Sequence, residues 1–160
     1  DQGNRFVSEY GGSNRVQKFD GDWQHMLTFG GIGDRPGEFQ RPSGMAWHDG
    51  RLYIVDAFND RIQVFDGQGR FLEILGTQDE TSRLHYPYDI ALGPRQELWV
   101  VEYGAGRISR FNLEGDLLGR FGSTGSGPNQ FGTPWGLAVD SSRRVWVADT
   151  RNHRLVAVDP

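Results

Sequence analysis

Four carboxylates, Glu9, Asp56, Glu102 and Asp149, recur 47, 46 and 47 residues apart, and each is followed within five or six positions by an arginine: Arg15, Arg61, Arg107 and Arg154. A carboxylate near a guanidinium can trade protons with a substrate, help to hold a charged ligand, or pair with its neighbour. Repetition decides among these. A catalytic group is needed once per protein, whereas a device that closes a turn is needed once per repeat, so the four pairs read as structural latches. In that reading the acid ends one strand and accepts N–H groups of the turn that follows. The arginine that opens the next strand then pairs with it or stacks across the sheet.

Other chemistry is sparse. His25, His48, His85 and His153 are scattered over different turns and strand ends, and zinc needs three or four such groups to converge. Cysteine is absent, which excludes disulfides, thiolate metal sites and a cysteine nucleophile. Lys18 is the only lysine, so Schiff-base chemistry has little to work with. The glycine-rich stretches Gly30-Gly31-Ile32-Gly33 and Gly122 to Gly127 precede no helix, as a phosphate loop would require. No Ser/His/Asp set can be placed. The expectation is therefore no catalytic residue, no metal and no cofactor.

The positioning elements follow from the same period. Each full copy opens with a proline and a short apolar run, PSGMAW at Pro42, PYDIAL at Pro87 and PWGLAV at Pro134. In the second copy, Gly44–Trp47, Leu52–Asp56, Ile62–Phe65 and Phe71–Leu75 are short β-branched or aromatic runs, read as strands a, b, c and d. Turn chemistry separates them at His48-Asp49-Gly50, Ala57 to Arg61 and Asp66-Gly67-Gln68-Gly69. No window keeps a helical period for three turns. Four strands in about 46 residues make a propeller blade. The fold class is thus all-β, a β-propeller of four-stranded antiparallel blades, incomplete in this chain. Residues 1–41 form an incomplete blade with strands b, c and d, 42–86 and 87–133 are full blades, and 134–160 hold strands a, b and c, all within one propeller domain. Asp1-Gln2-Gly3-Asn4 reads as the a–b turn of a blade lacking its strand a, and Val158-Asp159-Pro160 stops where strand d would begin. Both ends cut through a blade, so the chain is expected to be a piece of a longer propeller, with self-association into a ring as the alternative.

The pattern P-x-G-x-A-V-D, then V-A-D-x-x-N-x-R-[IL], then a strand d ending in F-G, resembles the NHL repeat. The best copy is GSGPNQFGTPWGLAVDSSRRVWVADTRNHRL, Gly125 to Leu155. The copy at Pro87 departs most, with Asp89 for the glycine, Glu102 for the aspartate, and Gly104-Ala105-Gly106 where the asparagine falls in the pattern. The resemblance covers essentially the whole chain and implies a propeller that is usually six-bladed. It also implies one of three roles, since family members act as protein-binding scaffolds, as RNA readers and occasionally as enzymes. Lactonase-like propellers, which this fold also resembles, hold a divalent ion at the central channel. Here the innermost strands offer one acid, Asp89.

Function then has to come from a surface. Because successive strands reverse, the b–c turns and d–a loops emerge on one face and the a–b and c–d hairpins on the other. The first face carries Phe58, Tyr88, Tyr103, Trp135, Arg151 and His153, aromatic and cationic side chains of the kind that anchor interfaces. Tyr88 and Trp135, each next to a blade's proline, could equally pack between blades. The loops of this face hold eight arginines against nine carboxylates, the net charge is -4 and the pI about 5.5, whereas binding of phosphates calls for positive excess. The reading is a non-enzymatic platform whose partner is another protein, or further blades of the same propeller. Single-stranded RNA, as in the propellers of animal tripartite-motif proteins that the chain resembles, is the alternative, and a lyase- or lactonase-like enzyme with a channel metal the second alternative. No apolar run reaches the roughly 20 residues that would insert into a membrane.

Overall fold

The computed structural model describes residues 3–77 and 79–158. The expected turn at Asp1-Gln2 and the chain end at Asp159-Pro160 lie outside the described residues. Among the described residues, sixteen strands form four antiparallel sheets and one short parallel pair. The first sheet contains β1 (Arg5–Ser8), β2 (Arg15–Phe19) and β3 (His25–Gly30) in that order. The second contains β4 (Pro42–His48), β5 (Arg51–Asp56), β6 (Arg61–Asp66) and β7 (Phe71–Leu75). The third contains β8 (Pro87–Leu92), β9 (Leu98–Glu102), β10 (Arg107–Phe111) and β11 (Leu117–Phe121). β12 (Ser123–Thr124) and β13 (Gln130–Phe131) pair in parallel within the linker that follows. The last sheet contains β14 (Pro134–Val139), β15 (Val145–Asp149) and β16 (Arg154–Val158).

Strand order equals chain order in every antiparallel sheet, as in the blades of a propeller. Burial shows how the sheets stack. All but the first residue of β5 and every residue of β9 are buried, so these strands are covered on both faces, whereas the outer strands β3 and β7 keep exposed positions. The innermost strands pack against one another, β4 beside β8 and β8 beside β14. The only helical segments among the described residues are two three-residue 3-10 turns, Ala57–Asn59 and Thr150–Asn152, both between strands b and c. No helix among the described residues is long and apolar enough to cross a membrane.

The d–a linkers are not loose. Each folds back to drive one apolar side chain, Phe39, Leu84 or Phe131, into the core, where all three are at most 1% exposed. A glycine ends or directly follows each strand d to admit it: Gly30, Gly76 and Gly122 have φ of 91°, 82° and 92°. A Cβ on any of them would come within 2.6 Å of the buried side chain. The positive φ and the close approach together require glycine. Truncating a buried Phe costs about 3–5 kcal/mol, so these side chains tie the linkers to the blades and hold the loop face in place.

Candidate docking face and the acid–arginine clamps

Each b–c turn is held by an acid–arginine pair. The ion-pair distances are 2.9 Å for Glu9–Arg15, 2.7 Å for Asp56–Arg61, 2.8 Å for Glu102–Arg107 and 2.9 Å for Asp149–Arg154. The backbone donors differ from the sequence expectation. Asp56 Oδ1 accepts the amide of Gln40 at 2.7 Å, Glu102 Oε2 that of His85 at 2.7 Å, and Asp149 Oδ1 that of Gly132 at 2.7 Å. All three donors lie in the preceding d–a linker, not in the b–c turn. The arginines reach the same linker: Arg61 donates to the carbonyls of Asp34, Arg35 and Glu38, and Arg154 to those of Ser126, Gly127 and Gln130. In the turns themselves, Asn59 and Asn152 bridge the acid to the Gly33 and Gly125 carbonyls. In these three blades the pair thus clamps the blade to the linker arriving from its neighbour.

Burial pushes the Asp149 carboxyl up, but hydrogen bonds from Asn152, Gly132 and Arg154 outweigh it and leave the group below its ordinary range. The blade at Pro87 lacks the bridging asparagine and compensates. Ser109 hydrogen-bonds Glu102, and Arg120 reaches Ser109 Oγ at 3.1 Å and the Arg83 carbonyl at 2.7 Å.

The clamps set the backbone from which a continuous aromatic cluster projects. Arg41 and Tyr86 immediately precede the prolines of two blades, and both have left-handed backbone, φ 59° and 48°. Each is pinned from the neighbouring turn: Asn14 Oδ1 accepts the Arg41 amide at 2.7 Å, and Asp60 Oδ1 the Tyr86 amide at 2.6 Å. Phe58 packs on Tyr86 with centroids 5.0 Å apart, Tyr86 on Tyr103 at 5.3 Å, Tyr103 on Trp135 at 6.1 Å, Trp135 on Tyr88 at 5.2 Å and Tyr88 on Tyr10 at 5.6 Å. The hydroxyls of Tyr10 and Tyr86 lie 3.1 Å apart. The Arg41 guanidinium lies 4.1 Å from the Phe58 ring centroid and 5.3 Å from that of Tyr10.

Four of the six residues read from sequence as the binding face, Phe58, Tyr88, Tyr103 and Trp135, are brought together here. Phe58 and Trp135 keep 43% and 48% of their surface exposed. Tyr88 is half-buried against the core, so packing between blades and display on the face coexist in this pair. Arg151 and His153 make none of these ring contacts. Arg151 borders a separate crevice with Thr124, Gly125, Ser126, Gly132 and Asn152, and His153, at φ 52°, donates its amide to the Thr150 carbonyl. Tyr10, Arg41 and Tyr86 escaped the sequence reading. Tyr10 stands directly after its blade's acid, the position of Tyr103, and Arg41 and Tyr86 share the position before proline, so aligning the copies could have revealed them.

The electrostatics are simple. Tyr86 is pushed up to about 12 by burial and by the Tyr10 hydroxyl, and Tyr88 is raised by burial and by the Tyr10 and Asp89 charges. Both therefore stay neutral. Asp89 is raised by burial, against hydrogen bonds from the Leu137 and Ile90 amides, one to each oxygen, at 3.0 and 2.9 Å. It braces β8 against β14. Among the described residues, no three His, Asp or Glu side chains group as metal ligands.

The comparisons agree with this architecture. The family model described as NHL repeat matches residues 131–157. The chain is 30% identical over 139 residues to Protein brain tumor of Drosophila melanogaster, covering 84% of this chain and 13% of that protein. It is 33% identical over 139 residues to the B-box type zinc finger protein ncl-1 of Caenorhabditis elegans, covering 84% of this chain and 16% of that one. Among solved structures, "Streptogramin B lyase structure" superposes with a TM-score of 0.66 at 18% identity, over 92% of this chain and 48% of the other, a likeness of fold. The chain spans a small part of these curated relatives and about half of that solved chain. Residues 131–157 thus carry an NHL repeat, within a chain whose copies, spaced 46 or 47 residues apart, fold as sheets of a propeller.

Proposed function

We propose that this chain is a non-enzymatic docking module that receives another protein on its b–c/d–a loop face. The observation that carries this is the cluster Phe58–Tyr86–Tyr103–Trp135–Tyr88–Tyr10, which crosses four blades and leaves Phe58 and Trp135 half exposed on clamped backbone. Rigid aromatic side chains give large contact area at little entropic cost, and they are enriched in interface hot spots. The opposite hairpins present mainly polar turn residues. The charge balance favours a protein over single-stranded RNA, because the arginines that open each strand c are already engaged by carboxylates and carbonyls. A lyase- or lactonase-like reading would rest on Asp89, whose two oxygens are each taken by a backbone amide.

The test is a selection of binding proteins against the module, followed by mapping. Retained binders should lose affinity with Phe58→Ala or Trp135→Ala, keep it with Gln68→Ala, and respond weakly to salt. Equal sensitivity on both faces would remove the reading. So would tight oligoribonucleotide binding whose affinity falls log-linearly with salt.

A further inference from the structure

Arg41 is the one guanidinium in the aromatic cluster, and its charge is unspent. Among the described residues no carboxylate lies within ion-pair distance of it, whereas Arg15, Arg61, Arg107 and Arg154 each pair with their blade's acid. Its backbone is fixed from both sides: Asn14 Oδ1 takes its amide, and its carbonyl accepts the Ala57 amide at 3.3 Å. Its side chain lies against two ring faces, and one terminal nitrogen donates to the Tyr10 hydroxyl at 3.4 Å. That contact with Tyr10 holds the guanidinium above its ordinary pKa. Stacking on a ring uses the flat face of a guanidinium and leaves in-plane N–H donors for a partner. An arginine preordered this way loses little further entropy on taking a ligand, and its donor fork matches a carboxylate.

We propose that Arg41 receives an aspartate or glutamate side chain of the docked protein, whose neighbouring apolar side chain lies on Phe58 and Trp135. This rests on the docking reading above and narrows it to an acidic–apolar segment. A polyphosphate strand fits less well. Among the described residues the cluster holds a single free cation, and Asp60 and Asp89, which contact its tyrosines through the Tyr86 amide and the Tyr88 field, keep the potential from becoming strongly positive.

The experiment uses peptides selected from a random phage-displayed library against the protein. Selected peptides should carry an acid beside an apolar residue, and replacing that acid with its amide should weaken binding by about tenfold. With Arg41→Gln the acid and amide forms should bind equally, at the level of the amide form, while Arg41→Lys keeps part of the preference. Phe58→Ala should weaken both forms, the acid form more, because it removes one of the two rings against which Arg41 is ordered. The acid-to-amide comparison is made on the unaltered protein and does not depend on any variant folding. If Trp135→Ala abolishes binding but acid and amide peptides bind the unaltered protein equally, the role of Arg41 is overturned and the docking face stands. If no selected peptide depends on Phe58 or Trp135, or only a single-stranded oligonucleotide binds, both fall.

Discussion

The indole of Trp135 stacks on the ring of Tyr88, centroids 5.2 Å apart and planes 26° from parallel, so one blade's first strand supplies the floor for an exposed side chain of the next. Trp135→Ala removes the exposed member and leaves Tyr88 packed in the core. Partner affinity should drop by ~2 kcal/mol for Trp135→Ala and by a similar amount for Phe58→Ala. Gln68→Ala and Glu114→Ala, on the opposite hairpins, should change nothing that isothermal titration can measure.

The four clamps should differ in strength with their burial. Asp56 and Arg61 have side chains 0% and 8% exposed, Asp149 and Arg154 0% and 35%, and Glu9 and Arg15 25% and 43%. Removing one member of a buried pair strands the other charge, at about 3–5 kcal/mol, so Asp56→Ala should cost that much. Asp149→Ala should cost about 1–3 kcal/mol and Glu9→Ala least. Urea midpoints at constant slope would give the order, and partner affinity of the still-folded variants should be unchanged.

Asp89 sits between two glycines of the same repeat position, Gly44 and Gly136. A Cβ on Gly44 would lie 2.2 Å from Asp89 Oδ1 and 2.6 Å from the Asp89 Cα, whereas one on Gly136 would lie 3.6 Å from Asp89 Oδ2. Gly44→Ala should therefore destabilise by about 1–3 kcal/mol, and Gly136→Ala by less than about 0.5 kcal/mol. Asp89→Gly should not rescue Gly44→Ala, because the backbone contact remains. Thermal melts of the three variants would decide.

In the a–b hairpin of the last sheet, the Asp140 carboxyl is held at about 2 by a hydrogen bond from the Trp146 indole and by the Arg144 amide, with burial opposing. An unfolded aspartate titrates near 3.9, at roughly model-peptide strength. The stabilisation is therefore present above that pH and is lost as pH falls toward about 2. The Tm difference between the protein and its Asp140→Ala variant should hold steady at neutral pH, shrink below about pH 4 and vanish near the lower value.

Strand positions were legible because they rest on local chemistry: strand d, Phe71–Leu75, coincides with β7, and β5 gains only Arg51 at its start. The pairing of Asp56 with Arg61 was legible for the same reason, five residues apart across one turn. The amide donor of Asp56 was not, because Gln40 lies 16 residues upstream in a linker whose course depends on Phe39 being buried. On the loop face, Phe58 and Trp135 stood out by residue type, while Arg41 gained its place through contacts with Asn14, 27 residues away, and with the Ala57 amide.

The two faces also close their turns by opposite means. On the hairpin face, turns such as Asn112–Asp116 and Asp140–Arg144 are finished by their own residues: Asn112 Oδ1 takes the amide of Asp116, and Asp140 Oδ1 those of Ser142 and Arg144. On the loop face the clamps at Asp56, Glu102 and Asp149 borrow from the chain about 16 to 28 residues earlier. Lengthening a hairpin such as Asn112–Asp116 would consequently disturb one turn alone. Lengthening a d–a linker would misplace the carbonyls that Arg61 or Arg154 grips and loosen two blades at once. Natural length variation, grafted epitopes and circular-permutation breakpoints should accordingly be accepted on the hairpin side and refused on the loop side.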